Sequence, residues 1–282
     1  MSKDNTLIEP VVSGLFYPDS VDRLKNQIEN LFSLSEGVND EAQAIISPHA
    51  AYRYCGHLCA TAFKAASSRE VKTAVVLSCV HREPEEKIFL PGREGFLTPL
   101  GTVYVDQKLK TRLLAQSKRV VESNIPFEEE HAIEVQLPFI QYLFPKVKLL
   151  PILIGKSSSI NTETLTKSLL NTLLDIFETC LFVISSNASG FLPERRSKDE
   201  AEKLIQLVKK KDWQGILDAK SRGEVSACGA GSIAAFLKLI LSLGIDMEVK
   251  TLGEGCSSKS SGKSDNIVQY RAVGFFPEPV SR

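Results

Sequence analysis

The chain has 282 residues, with Lys plus Arg and Asp plus Glu each numbering 34, so its formal net charge is zero. That balance argues against a basic surface for nucleic acid or anionic lipid, and an aromatic and apolar content of 7% and 43% is ordinary for a globular protein. The length exceeds the usual domain mode of roughly 100 to 150 residues, which leaves one large α/β domain or two smaller ones open.

In chain order, SVDRLKNQIENLFSL (20–34) repeats apolar residues at helical spacing behind Ser20 as N-cap. AQAIIS (42–47) follows as a strand apolar on both faces, the pattern of a buried sheet. SPHAAYRYCGHLCA (47–60) then places two of the chain's four histidines and two of its six cysteines in one short stretch. If its second half opens a helix, Cys55 and Cys59 share a face as buried packing residues. His57 points roughly the other way, exposed or locally bonded, so only His49 is left for chemistry. KTAVVLSC (72–79), KLLPILIG (148–155) and CLFVISS (180–186) are further buried strands. TETLTKSLLNTLLDIF (162–177) and KDEAEKLIQLVKKKDW (198–213) are helices, and GSIAAFLKLILSLG (231–244) is a buried helix stopped by Gly244. DMEVKTL and NIVQYRAVGFF close the chain as an antiparallel pair joined by a mobile loop over 253–266. The GKS inside that loop is not a phosphate loop, because Ser257 stands where the first glycine is required and a strand follows it rather than a helix.

The N-terminus lacks the apolar run of a signal peptide, and the longest apolar stretch is broken by Lys238, so a cytoplasmic protein with reduced thiols and no membrane span is expected. Alternating strands and helices imply an α/β fold, in which ligands gather at the carboxyl ends of strands. His49 and His81 each follow a strand. Cys228 precedes a long helix, where unpaired N–H groups and the helix dipole favour a thiolate. Two imidazoles and a thiolate form a workable shell for zinc, iron or copper, although each residue has an ordinary packing role open to it. His131 and Glu134 lie three apart on an expected helix within EEEHAIEVQLPF, where His131 is placed as proton donor with Glu134 orienting it. A hydrogen-bonded His131 beside a partly exposed Glu134 is the alternative.

IISPHAAYRYCG, FLTPLGTVYVD, EEEHAIEVQLPF and SACGAGSI resemble, in order and spacing, four motifs of the Memo family. The resemblance runs from about Val12 to the last strand. It implies a single α/β domain over 1–282, a central mixed sheet flanked by helices and similar to class III extradiol dioxygenases. It also implies a divalent metal ion on His49, His81 and Cys228, and, as in prokaryotic members, partners of the radical SAM and AMMECR type. One motif departs from the family: ISSNASGF carries Asn187 and Gly190 where an Asp and a His are usual. An amide exchanges no protons near neutral pH and glycine has no side chain, so ring cleavage through that pair is not expected.

Around this centre, Asn187 and Tyr54 are candidate substrate contacts, with aromatic packing the competing role for Tyr54, and Arg82 is a candidate contact for an anionic group. Three functions follow: a metal-dependent oxidoreductase or hydrolase acting on a small molecule, a non-catalytic module holding a peptide or partner in the same cleft, or a thiol nucleophile at Cys228 activated by His49 or His81.

Overall fold

A computed structural model describes residues 6–35, 41–82, 85–258 and 266–278. Along the chain these form β1 (Leu7–Ile8), α1 (Val21–Leu34), β2 (Ala44–Ser47), α2 (Tyr52–Lys64), β3 (Thr73–Cys79), β4 (Ile88–Leu90), β5 (Gly95–Thr98) and β6 (Gly101–Tyr104). There follow α3 (Gln107–Leu114), β7 (Val120–Glu122), α4 (Ile125–Glu129), α5 (Leu137–Leu143), β8 (Lys148–Ile154), α6 (Ser159–Leu173) and β9 (Cys180–Ser185). The last elements are α7 (Glu194–Lys209), α8 (Trp213–Ser221), α9 (Ala230–Leu243), β10 (Met247–Cys256) and β11 (Gln269–Pro277).

Eight strands make one mixed sheet in the order β10-β11-β2-β9-β3-β8-β4-β7, and β1, β5 and β6 form a small separate one. At the centre β2, β9, β3 and β8 run parallel, whereas β11 joins β2 and β4 joins β8 antiparallel. The two-residue period of the strands divides their side chains between two cores. Ile45, Val76 and Val183 face the layer of α1, α2 and α5, while Ile46, Leu77 and Ile184 face α6, α8 and α9. Burial on both faces is what the unbroken Val, Ile and Leu runs encode. The fold is therefore a single α/β domain with helices on both sides of a mixed sheet.

Helix ends follow local chemistry in some places and not in others. Gly244 closes α9 in the left-handed region at φ 67°, a conformation that costs glycine little. Ser20 holds the N-cap position of α1 but makes no side-chain capping bond there. The loop expected over 253–266 begins later: Gly253 to Cys256 extend β10 and pair with Ala272 to Gln269 beyond a register shift between Thr251 and Gly253. Residues 259–265 of that loop, including Lys263, lie outside the described residues. Cys55 and Cys59 are buried in α2, where their thiols donate to the carbonyls of Ala50 and Pro48, both at 3.3 Å.

No helix among the described residues is long and apolar enough to cross a membrane.

Candidate metal centre

Because β2 and β3 flank β9 and all three run parallel, their carboxyl ends open on the same edge of the sheet. Strands two places apart are separated by about 10 Å, a gap that side chains leaning in from both sides can bridge. His49 leaves β2 and His81 leaves β3, and their ring centroids lie 5.2 Å apart. Cys228 reaches the same point from the start of α9, with its sulfur 3.1 Å from His49 Nε2. One ligand atom from each of His49, His81 and Cys228 falls within 4.8 Å of the others. Gly229 allows this approach: a Cβ there would sit 2.6 Å from Ser186 Cβ.

The hydrogen-bond network fixes which imidazole nitrogens are free. Ser185 Oγ lies 2.6 Å from Ala132 O and 3.0 Å from both Gln136 Nε2 and His49 Nδ1. A carbonyl only accepts and an amide nitrogen only donates. With one hydroxyl proton committed to the short contact with Ala132 O, Ser185 must accept from His49, so His49 Nδ1 carries the hydrogen. His81 Nδ1 is bound to Glu130 Oε2 at 2.7 Å, and the other oxygen of Glu130 accepts the His81 main-chain N–H at 2.5 Å. Both Nε2 atoms are thereby left to face Cys228, which is the arrangement that orients imidazoles toward an ion. His81, Glu130 and His131 also lie within ligand range of one another. There, however, the 2.7 Å contact between Glu130 and His81 is a direct hydrogen bond that leaves no place for an ion between them. Glu130 was not singled out from sequence, because nothing in the run EEE distinguishes its members.

Charges follow from these contacts. A hydrogen bond from Cys79 holds the Cys228 thiol well below its ordinary range, aided by His49 and His81 against the effect of burial. Hydrogen bonds to Cys228 and Glu130 push His81 up to about 10. Burial raises Glu130, but its bonds from His81 outweigh this and hold the carboxylate below its usual value. Burial lowers His131 to about 4, helped by His49 and His81. A depressed thiol pKa keeps the thiolate present as pH falls. Alkylation of Cys228 by iodoacetamide in metal-free protein should therefore stay nearly flat across pH 7 to 9, a window bracketing the free-thiol value of about 8.5. Peptide mapping that instead found a roughly tenfold rise in rate per pH unit up to that value would contradict the thiolate assignment.

The remaining predicted residues separate. His131 packs against both of those imidazoles, at centroid distances of 5.5 Å from His49 and 5.4 Å from His81. Glu134 does not orient it: the Glu134 carboxylate accepts Val11 N–H at 2.7 Å, Val12 N–H at 3.0 Å and Tyr17 O–H at 2.5 Å. The expected continuous helix is broken. α4 ends at Glu129, Glu130 is extended at φ −100° and ψ 131°, and a 3-10 turn over Glu134–Gln136 precedes α5. Asn187 Oδ1 accepts the His49 N–H at 3.1 Å, and its own N–H donates to Cys228 Sγ at 3.3 Å, so the residue bridges His49 and Cys228. A Cβ at Gly190 would meet Ser226 at 3.5 Å, an ordinary contact. Glycine is therefore not imposed there by crowding. Tyr54 is half-buried beneath the guanidinium of Arg53 and is not among the residues lining the cavity beside the cluster. Arg82 lines a different depression together with Glu85 and Glu129.

That cavity, of about 510 Å³, is bounded by Cys79, His81, Cys228, Asn187, Lys156 and Lys220 among others, and no Asp or Glu among the described residues lines it. Lys220 Nζ donates to the carbonyls of Ser226 and Ala227 at 3.3 and 2.9 Å, so a cationic head sits beside Cys228, whereas Arg82, the expected contact for an anionic group, does not line this cavity.

A family model described as Memo-like protein matches residues 9–273. The chain belongs to the Memo-like family. Curated relatives agree along nearly their whole length: a MEMO1 family protein of Pyrobaculum aerophilum is 27% identical over 277 residues, covering 95% of this chain and 98% of the relative. Another from Caldivirga maquilingensis is 29% identical over 282 residues, with the same coverage. One from Methanosarcina mazei is 29% identical over 267 residues, covering 94% and 97%. In metal sites generally, exchange of a residue that orients a ligand typically costs about 10- to 100-fold in metal affinity, and on a metal-binding reading that is the loss expected for Glu130→Gln. Competition titration with a chromogenic chelator would measure it, and unchanged affinity would show that Glu130 does not orient His81.

Proposed function

We propose that this Memo-family chain binds a divalent iron, copper or zinc ion on His49, His81 and Cys228, and that the adjoining cavity receives a small molecule or a peptide end. What carries the reading is the convergence of three ligand atoms within 4.8 Å while each imidazole has its Nδ1 engaged elsewhere. The donor set of two nitrogens and one sulfur suits these metals. A cytoplasmic setting, where its six cysteines stay reduced, fits the same reading. So does a dioxygenase-like fold with its ion at the strand ends.

In its catalytic form this is a metal-dependent oxidoreductase or hydrolase. A bound ion would supply Lewis acidity or redox chemistry. His131, neutral at pH 7, would accept or return a proton from the flank of the cluster. Lys220 would hold an anionic part of the ligand. A second reading, a non-catalytic module that holds its ligand or partner in the cavity, is favoured by Asn187 and Gly190, which offer no proton-transfer group where the family usually has a pair. Radical SAM and AMMECR-type proteins are the partners proposed on family resemblance.

Equilibrium dialysis of metal-free protein against Zn²⁺ tests the common premise. One saturable ion per chain is expected, and the absence of a saturable site would end both metal-bound readings.

A further inference from the structure

Gln136 closes the 3-10 turn ahead of α5, and its side chain is fully buried. Its amide nitrogen serves two groups attached to His49. Nε2 lies 2.8 Å from the carbonyl of Pro48, the residue before His49, and 3.0 Å from Ser185 Oγ, the atom that accepts His49 Nδ1–H. Pro48 O can only accept, so the nitrogen and not the oxygen of the amide must face it, which settles the orientation of Gln136. The cost shows at the other atom: Gln136 Oε1 is buried and has no hydrogen-bond partner among the described residues. An orphaned acceptor in a core weakens folding, and a methionine of similar length would fill the space without one. A glutamine held there under that penalty points to a task other than stability.

The task follows from where its two bonds end. His49 leaves β2 through the Pro48–His49 peptide, whose carbonyl is held by Gln136 and whose N–H is held by Asn187 Oδ1 at 3.1 Å. Ser185 fixes the ring of the same residue at Nδ1, and Ser185 is itself anchored by Gln136 and by Ala132 O. Backbone and imidazole are thus fastened to one amide, and the remaining ring nitrogen is directed at Cys228 Sγ, 3.1 Å away. We infer that Gln136 is a positioning residue for His49, setting the direction of its imidazole through Pro48 O and Ser185 Oγ. Its consequence for metal affinity rests on the metal-binding reading above, whereas its hold on the ring does not.

Gln136→Met tests this, because it removes both bonds and keeps the bulk. In metal-free protein labelled with ¹⁵N, wild type should give a resolved NMR signal for the His49 Nδ1 proton. Its exchange with water should be faster in the variant by roughly 5- to 10-fold, the scale of one lost hydrogen bond. Zinc affinity, measured by competition titration, should fall by roughly 10-fold, the low end for a residue that orients a ligand. The unfolding midpoint should stay near that of wild type, since Pro48 O keeps the Cys59 thiol as donor and Ser185 keeps Ala132 and His49. Combined with Ser185→Ala, the loss of affinity should be less than additive, because the two residues share one path. No protected Nδ1 proton in wild type, or equal exchange rates in the two proteins, would overturn the role of Gln136. If Gln136→Met does not fold, the unaltered protein decides: both Gln136 side-chain amide protons should be protected from exchange, and rapid exchange of either would overturn the inference. No saturable zinc uptake by wild type would end the metal-binding reading and leave the proton-exchange comparison to judge the hold on His49.

Discussion

Replacing Glu134 with alanine should lower folding stability by about 3 kcal/mol while leaving the metal ligands in place. The carboxylate is the acceptor for three donors from the N-terminal segment, Val11 N–H, Val12 N–H and Tyr17 O–H. Val12 and Tyr17 are 8% and 3% exposed, so water cannot readily replace the lost acceptor. Each buried donor left unpaired costs about 1 to 3 kcal/mol, and Val11, being exposed, recovers most of its share from solvent. Glu134→Gln keeps one acceptor oxygen and should lose less. Denaturant titration would show the shift in midpoint, and metal titration of the folded variant should match wild type. Unchanged stability with weakened metal binding would return Glu134 to the metal centre.

His49→Ala should reduce zinc affinity by roughly 100-fold or more. Zinc-finger peptides bind through four ligands with apparent free energies of about 10 to 16 kcal/mol, hence roughly 3 kcal/mol for each. His49 is also fully buried, bridged through Nδ1 to Ser185 and through its main chain to Asn187. The substitution therefore leaves a void and an unpaired hydroxyl lone pair beside the site, and a loss of stability accompanies the loss of metal. Cys228→Ser separates the two effects: it nearly preserves shape, so it should impair binding with little change in folding. Competition titrations on both variants, set against their unfolding midpoints, measure this. Wild-type affinity in either one would remove that residue from the shell.

These outcomes bear on how much of the molecule is legible in its sequence. The central strands were readable because parallel strands buried on both faces must be nearly continuous Val, Ile and Leu. The edge at which His49 and His81 converge follows from that arrangement. The short strands β4 to β7, three or four residues each, offer too few positions for any periodicity to register. Cys228 gained its place from motif resemblance, and the local chemistry of a helix start agreed with it. Glu134 misled because a spacing of three means a shared face only within a helix, and His131 stands ahead of the 3-10 turn that opens at Glu134.

Metal binding by His49, His81 and Cys228 underlies the proposed function. Elemental analysis of untagged protein, purified without chelator alongside its Cys228→Ser variant, tests it most directly. About one zinc, iron or copper ion per wild-type chain is expected, with a large loss in the variant. No stoichiometric metal in wild type, or equal metal in both, would contradict it.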